Sequence, residues 1–129
     1  MNVAIDYEFS NQQLADLFTT AFEINPYVND YLHRVKLLHR GHYIGTSKDV
    51  PFYADANLYG DYNFLVIVSH PETNDEMKVV ITPQLVSKGL QIMASTNAKH
   101  FHDFVSGDFD AITADVFLQC VVYGTVIFG

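Results

Sequence analysis

The feature that most constrains this chain is its terminal segment, DAITADVFLQCVVYGTVIFG. From Val116 to Phe128 only Gln119, Gly124 and Thr125 interrupt the apolar side chains, and no Lys or Arg follows Lys99. A helix that is hydrophobic all round is a buried helix. A segment of this kind has to be docked, because a fraying terminus would leave it in water. A lone small fold has limited surface with which to cover it. Val116, Phe117, Cys120, Tyr123 and Phe128 are therefore candidate interface residues, and the expectation is a homo-oligomer assembled through the terminal helix.

The 129 residues suit a single domain. Hydrophobic residues make up 49% of the chain and charged ones only 17%, below the roughly 25% usual in soluble domains. This apolar surplus again points to an interface with another molecule. The formal net charge of -8 argues against a nucleic-acid binder, which needs cations to neutralise phosphates. It argues equally against attachment to an anionic membrane. The 15 carboxylates form no dense rows of the kind a DNA mimic would need. Cys120 is the only cysteine, so there is no intramolecular disulfide, and its apolar surroundings suggest an inert thiol. MNVAIDYEF lacks the pattern of a signal peptide, and the terminal run is too short to span a bilayer. The expected location is the cytoplasm.

Along the chain, Val3, Ile5, Tyr7 and Phe9 alternate with polar or small residues and predict a strand. Leu14, Leu17, Phe18, Ala21 and Phe22 form a helical stripe after the cap at Ser10 or Asn11. Asn25-Pro26 ends that helix and suits the start of another, which Tyr27, Tyr31, Val35 and Leu38 support. Val28, Tyr31 and Val35 also tolerate an extended form. Residues 41 to 61 are punctuated by Gly41, Gly45, Pro51 and Gly60, yet carry Tyr43, Phe52, Tyr53 and Tyr59. Residues 62 to 81 read as a hairpin. Thr82-Pro83 opens a helix, residues 97 to 105 form another, and Thr113 caps the last, with Asp115 complementing its dipole. The expected class is α+β: a small antiparallel sheet, made from the N-terminal strand and the 62 to 81 hairpin, against four to five helices.

Few residues suggest chemistry. Zinc needs three or four ligands at defined spacings, and neither His39-x-x-His42 nor His100-x-His102 provides them. The carboxylates Asp103, Asp108, Asp110 and Asp115 surround Gly107 without forming a calcium loop. No phosphate loop and no GxSxG motif is present. No catalytic residue, metal or cofactor is therefore assigned. Arg34, Lys36 and Arg40, with three histidines, concentrate positive charge in an otherwise acidic chain. With Tyr43 and Tyr53 close by in sequence, Arg34 and Arg40 are the candidate ligand-binding residues, suited to a small nucleotide.

Four stretches resemble a family of small, mostly uncharacterised proteins encoded by bacteriophages and prophages. They are KGLQIMA (88 to 94), HFHDF (100 to 104), DAITADVFLQ (110 to 119) and Tyr123-Gly124. The start, Val3 to Phe9 followed by Leu14 to Glu23, is similar too. The resemblance implies an accessory protein in a bacterial cytoplasm and supplies no catalytic residues. Three functions compete. The first is a non-enzymatic binding protein that engages a host protein, as an inhibitor of a host defence system. The second is a sponge that sequesters a signalling nucleotide. The third is a small metal-dependent hydrolase using the region from His100 to Asp115.

Overall fold

The computed structural model describes residues 9–39 and 50–128. Among them four α-helices stand beside a three-stranded antiparallel sheet, an α+β fold. Helix α1 (Asn11–Thr19) begins with a capping box. The Gln13 N–H donates to Ser10 Oγ, and the Ser10 N–H donates to Gln13 Oε1. A π-helical turn (Thr20–Ile24) extends it. The expected N-terminal strand lies outside the described residues except for Phe9, which is not in a strand and stacks on Phe104 at 4.8 Å.

The second expected helix does not form. After a short 3-10 turn (Val28–Asp30), the chain runs as strand β1 (Leu32–His39). Strands β2 (Asn63–Ser69) and β3 (Glu76–Ile81) make the predicted hairpin, and β1 pairs with the free side of β2. The physical reason lies in β2, whose Phe64, Val66, Ile67 and Val68 are all buried. A two-stranded hairpin is marginal in water, and a third strand satisfies the open edge of β2. Arg34-Val35-Lys36-Leu37 alternates with period two, which suits that role. The β2–β3 turn is tied by His70, whose N–H donates to Asp75 O and whose Nδ1 accepts from the Glu72 N–H.

The inner face of the sheet carries Phe64, Val66 and Val68, with Val35 and Leu37 opposite on β1 and Val79 and Ile81 opposite on β3. Phe18 of α1 joins this face to helix α4 (Ala111–Tyr123), lying edge-on to Phe64 at 5.4 Å and to Phe117 at 5.1 Å. Each aromatic ring buried in this way contributes about 2 kcal/mol through its removal from water. The part of the loop that is described, 50 to 61, folds into two 3-10 turns, Phe52–Ala54 and Ala56–Leu58. These turns set Phe52 against Phe64, and Tyr59 stacks on Phe18.

Every residue of α4 from Thr113 to Val121 is buried by the chain itself. Three of the residues expected at an interface are among them. Val116, Phe117 and Cys120 lie in the core. Half-buried Tyr123 donates its hydroxyl to Ser69 O, and Phe128 stacks on Tyr31 at 5.4 Å. The helical part of the segment is thus buried within the chain, whereas Val126 and Ile127 remain exposed. The expected cap, Thr113, is corrected: Asp110 caps the helix by accepting from the Thr113 N–H, and Asp115, expected to complement the helix dipole, is 3% exposed. Gly124, at φ 74°, ends the helix in the left-handed conformation that glycine adopts without strain.

Helices α2 (Pro83–Thr96) and α3 (Ala98–Val105) pack against α4. Gly89 lets α2 approach closely, since a Cβ there would lie 2.5 Å from Val121 Cγ2 and 2.9 Å from Val121 Cα. The second atom is backbone and cannot swing aside, so the helices would have to separate. We expect Gly89→Ala to destabilise the fold by about 2 kcal/mol despite its higher helix propensity. Urea denaturation checks this, and a neutral or stabilising change would contradict the close approach.

Candidate functional site: the outer face of the sheet

Antiparallel register decides which side chains share the outer face. Arg34 pairs with Ile67 and Lys36 with Leu65 across β1–β2, while Lys78 pairs with Ile67 and Val80 with Leu65 across β2–β3. Two rows result, Arg34–Ile67–Lys78 and Lys36–Leu65–Val80. Arg34, Lys36 and Lys78 are exposed, as are Val80 (45%) and Leu38 (47%). Ile67 is only 3% exposed, and the aliphatic stems of Arg34 and Lys78 flank it. At one end, beyond the bulge in β1, His33 Nε2 is 2.8 Å from Ser69 Oγ, and Glu76 pairs with Ser69. The face is therefore a small apolar floor ringed by three cations, with one carboxylate at its margin. Among the described residues no ion-pair partner neutralises Arg34, Lys36 or Lys78. The chain as a whole carries only seven Lys and Arg and a net charge of -8, so this face is opposite in sign to the molecule.

The nucleotide-site residues are not assembled into one place. Arg40 and Tyr43 lie outside the described residues. Arg34 is on the outer face. Tyr53 packs edge-on to Phe22 and Phe52, whose rings meet Phe64 on the inner face. Its hydroxyl donates to Glu23 Oε2, and burial pushes it up to about 12. The sheet thus separates Arg34 from Tyr53. Lys78, which joins Arg34 only through strand pairing, has no neighbour in sequence to announce it.

Of the residues considered for metal or acid-base chemistry, His100, Asp110 and Asp115 have structural partners, and His42 lies outside the described residues. His100 Nδ1 lies 3.0 Å from Thr113 Oγ1. The Thr113 backbone N–H holds the Asp110 carboxyl below the usual carboxylate range. Among the described residues no group of three or more His, Cys, Asp or Glu could hold a metal ion. Asp115 belongs to a buried network that sequence reading misses. Its Oδ1 accepts from Asn25 Nδ2 at 2.7 Å and from the Tyr31 hydroxyl at 2.6 Å, and its Oδ2 accepts from Gln119 Nε2 at 2.9 Å. Gln119 also donates to Phe128 O and accepts from the N–H groups of Ile127 and Phe128, all at 2.8 Å. The available signal is Asp115 and Gln119, four positions apart on one face of a mostly apolar helix.

Among the described residues no helix is long and apolar enough to cross a membrane. Compared with protein-family models, curated proteins and solved structures, the chain matches none of them.

Several buried acids share one direction of shift. Burial pushes the Cys120 thiol up to about 11. Burial, followed by the hydrogen bond to Asp115, moves the Tyr31 phenol far above its ordinary range, and burial alone raises Tyr62. These groups stay neutral in the native state and ionise first in the unfolded chain. Their contribution to stability is therefore complete below about pH 9 and is lost as pH rises beyond it. We expect the unfolding free energy to fall steadily above about pH 9, with Cys120 unreactive towards a thiol reagent until then. Denaturation across pH 7 to about 11.5 checks the slope, and a flat or rising profile contradicts it.

Proposed function

We propose that this chain is a non-enzymatic binding protein that docks an acidic protein partner on the outer face of its sheet. One observation carries the reading: Arg34, Lys36 and Lys78 are gathered, exposed and without ion-pair partners among the described residues, around an apolar floor on an otherwise acidic molecule. Unpaired cations of this kind steer a partner of opposite charge, and the exposed Leu38 and Val80 offer apolar contact beside them. The same face suits nucleic acid or a nucleotide poorly, since among the described residues it turns no Phe, Tyr or Trp ring outward on which a base would stack. The resemblance to phage-encoded proteins makes the partner a host protein in the bacterial cytoplasm and the role that of an accessory factor against host defence. With the terminal helix used in its own core, the reading calls for a partner of another kind rather than a second copy.

The test is affinity purification from the bacterial host with the wild-type chain and with the triple variant R34E/K36E/K78E. All three positions are exposed, so the variant should melt close to the wild type. We expect a stoichiometric acidic partner that the wild type retains at low salt, releases as ionic strength rises, and that the variant loses. Equal retention by the two proteins would overturn the proposal.

A further inference from the structure

A cleft of about 240 Å³ that shares no lining residue with the outer sheet face lies at the starts of two helices. Asn11 and Leu14 of α1, Pro83 and Ser87 of α2, and the rings of Tyr59 and Tyr62 line it. The two rings meet edge-on at 5.1 Å. Helices of 9 and 14 residues both present their first turn here, so the positive ends of two helix dipoles converge on one space. An independent observation concerns Tyr62. The residue is 4% exposed, and among the described residues its hydroxyl has no hydrogen-bond partner. The hydroxyl is not among the sealed, unsatisfied side-chain atoms of the core, which are Asp55 Oδ2 and Asn63 Oδ1. It therefore keeps a sliver of accessible surface, and the space that Tyr62 lines is the cleft. A buried phenol left without a partner is a donor waiting for an acceptor.

We infer that this cleft binds a small aromatic carboxylate, its ring against Tyr59 and Leu14 and a carboxylate oxygen accepting from the Tyr62 hydroxyl. The size is suitable, since an apolar cavity of about 150 Å³ admits benzene and the cleft offers room for one ring with a substituent. The charge is suitable as well, because a carboxylate is the anion that two helix N-termini and a phenol donor favour together. No cation is required, and Tyr59 and Tyr62 supply the flat apolar walls. This site is separate from the sheet face and does not depend on its function.

The probe is sodium benzoate, titrated into the full 15N-labelled chain at constant ionic strength. We expect saturable shifts of the Asn11, Gly60, Tyr62 and Ser87 amides, with a Kd on the order of 1 mM. Tyr62→Phe removes only a hydroxyl that has no partner among the described residues, so it should leave the melting temperature unchanged and weaken binding about tenfold. Ser87→Trp, at an exposed position, should fill the mouth and abolish the shifts. Benzyl alcohol, the same ring without the charge, should bind about tenfold more weakly than benzoate. An absence of saturable shifts up to about 50 mM, equal affinity in Tyr62→Phe, or equal affinity for benzyl alcohol would each overturn the inference.

Discussion

The fold depends on one buried carboxyl group. Asp115 sits in a mostly apolar helix and reaches donors from three places: Asn25 after the first helix, Tyr31 before the first strand, and Gln119 one turn along its own helix. None of these donors is a cation. Burying such a group costs several kcal/mol unless its oxygens are satisfied, and each buried donor would cost about 1–3 kcal/mol if its acceptor were lost. The network is therefore stable only when all parts are present together, which fixes the relative positions of segments far apart in sequence. Gln119 extends the same logic to the end of the described chain by holding the backbone of Ile127 and Phe128.

The consequences reach both sides of the molecule. With α4 at the centre, α1 and the inner face of the sheet close over one side of it through Phe18. On the other side Gly89 admits α2 to near contact with Val121. The helical part of the greasy terminal run, Val116 to Val121, is thereby covered without a second molecule, while Val126 and Ile127 beyond it stay exposed. The surface also carries features of a different character: a cationic sheet face with a small apolar floor, and a cleft between two helix starts. Both follow from the way the core is built, because the sheet gives only one face to it and the two helices begin at the same edge.

Much of the architecture was legible from local pattern. The caps at Ser10 and Thr82, the hairpin from 62 to 81 and the four helices follow from periodicity and turn chemistry acting over a few residues. Strand β1 was not legible in the same way. Tyr27, Tyr31, Val35 and Leu38 match a helical spacing, and the alternation of Arg34 to Leu37 competes with it over only four residues. The arbiter is β2, about thirty residues away, and a local window does not contain it. The same holds for the candidate site, where Arg34 and Lys36 stood out as a cluster while Lys78 joins them only through register. Asp115 was read as a dipole partner because its donors lie 84 and 90 positions away.

The central claim is that Asp115 binds the region around residues 25 to 31, the terminal helix and the tail into one cooperative unit. Amide hydrogen exchange, compared between the wild type and Asp115→Ala, tests it most directly. The account predicts that the wild type protects the Ile127 and Phe128 amides to nearly the level of α4, and that the variant loses protection at Tyr31, Ile127 and Phe128 while α4 weakens. Unchanged protection at those three amides in the variant would contradict it.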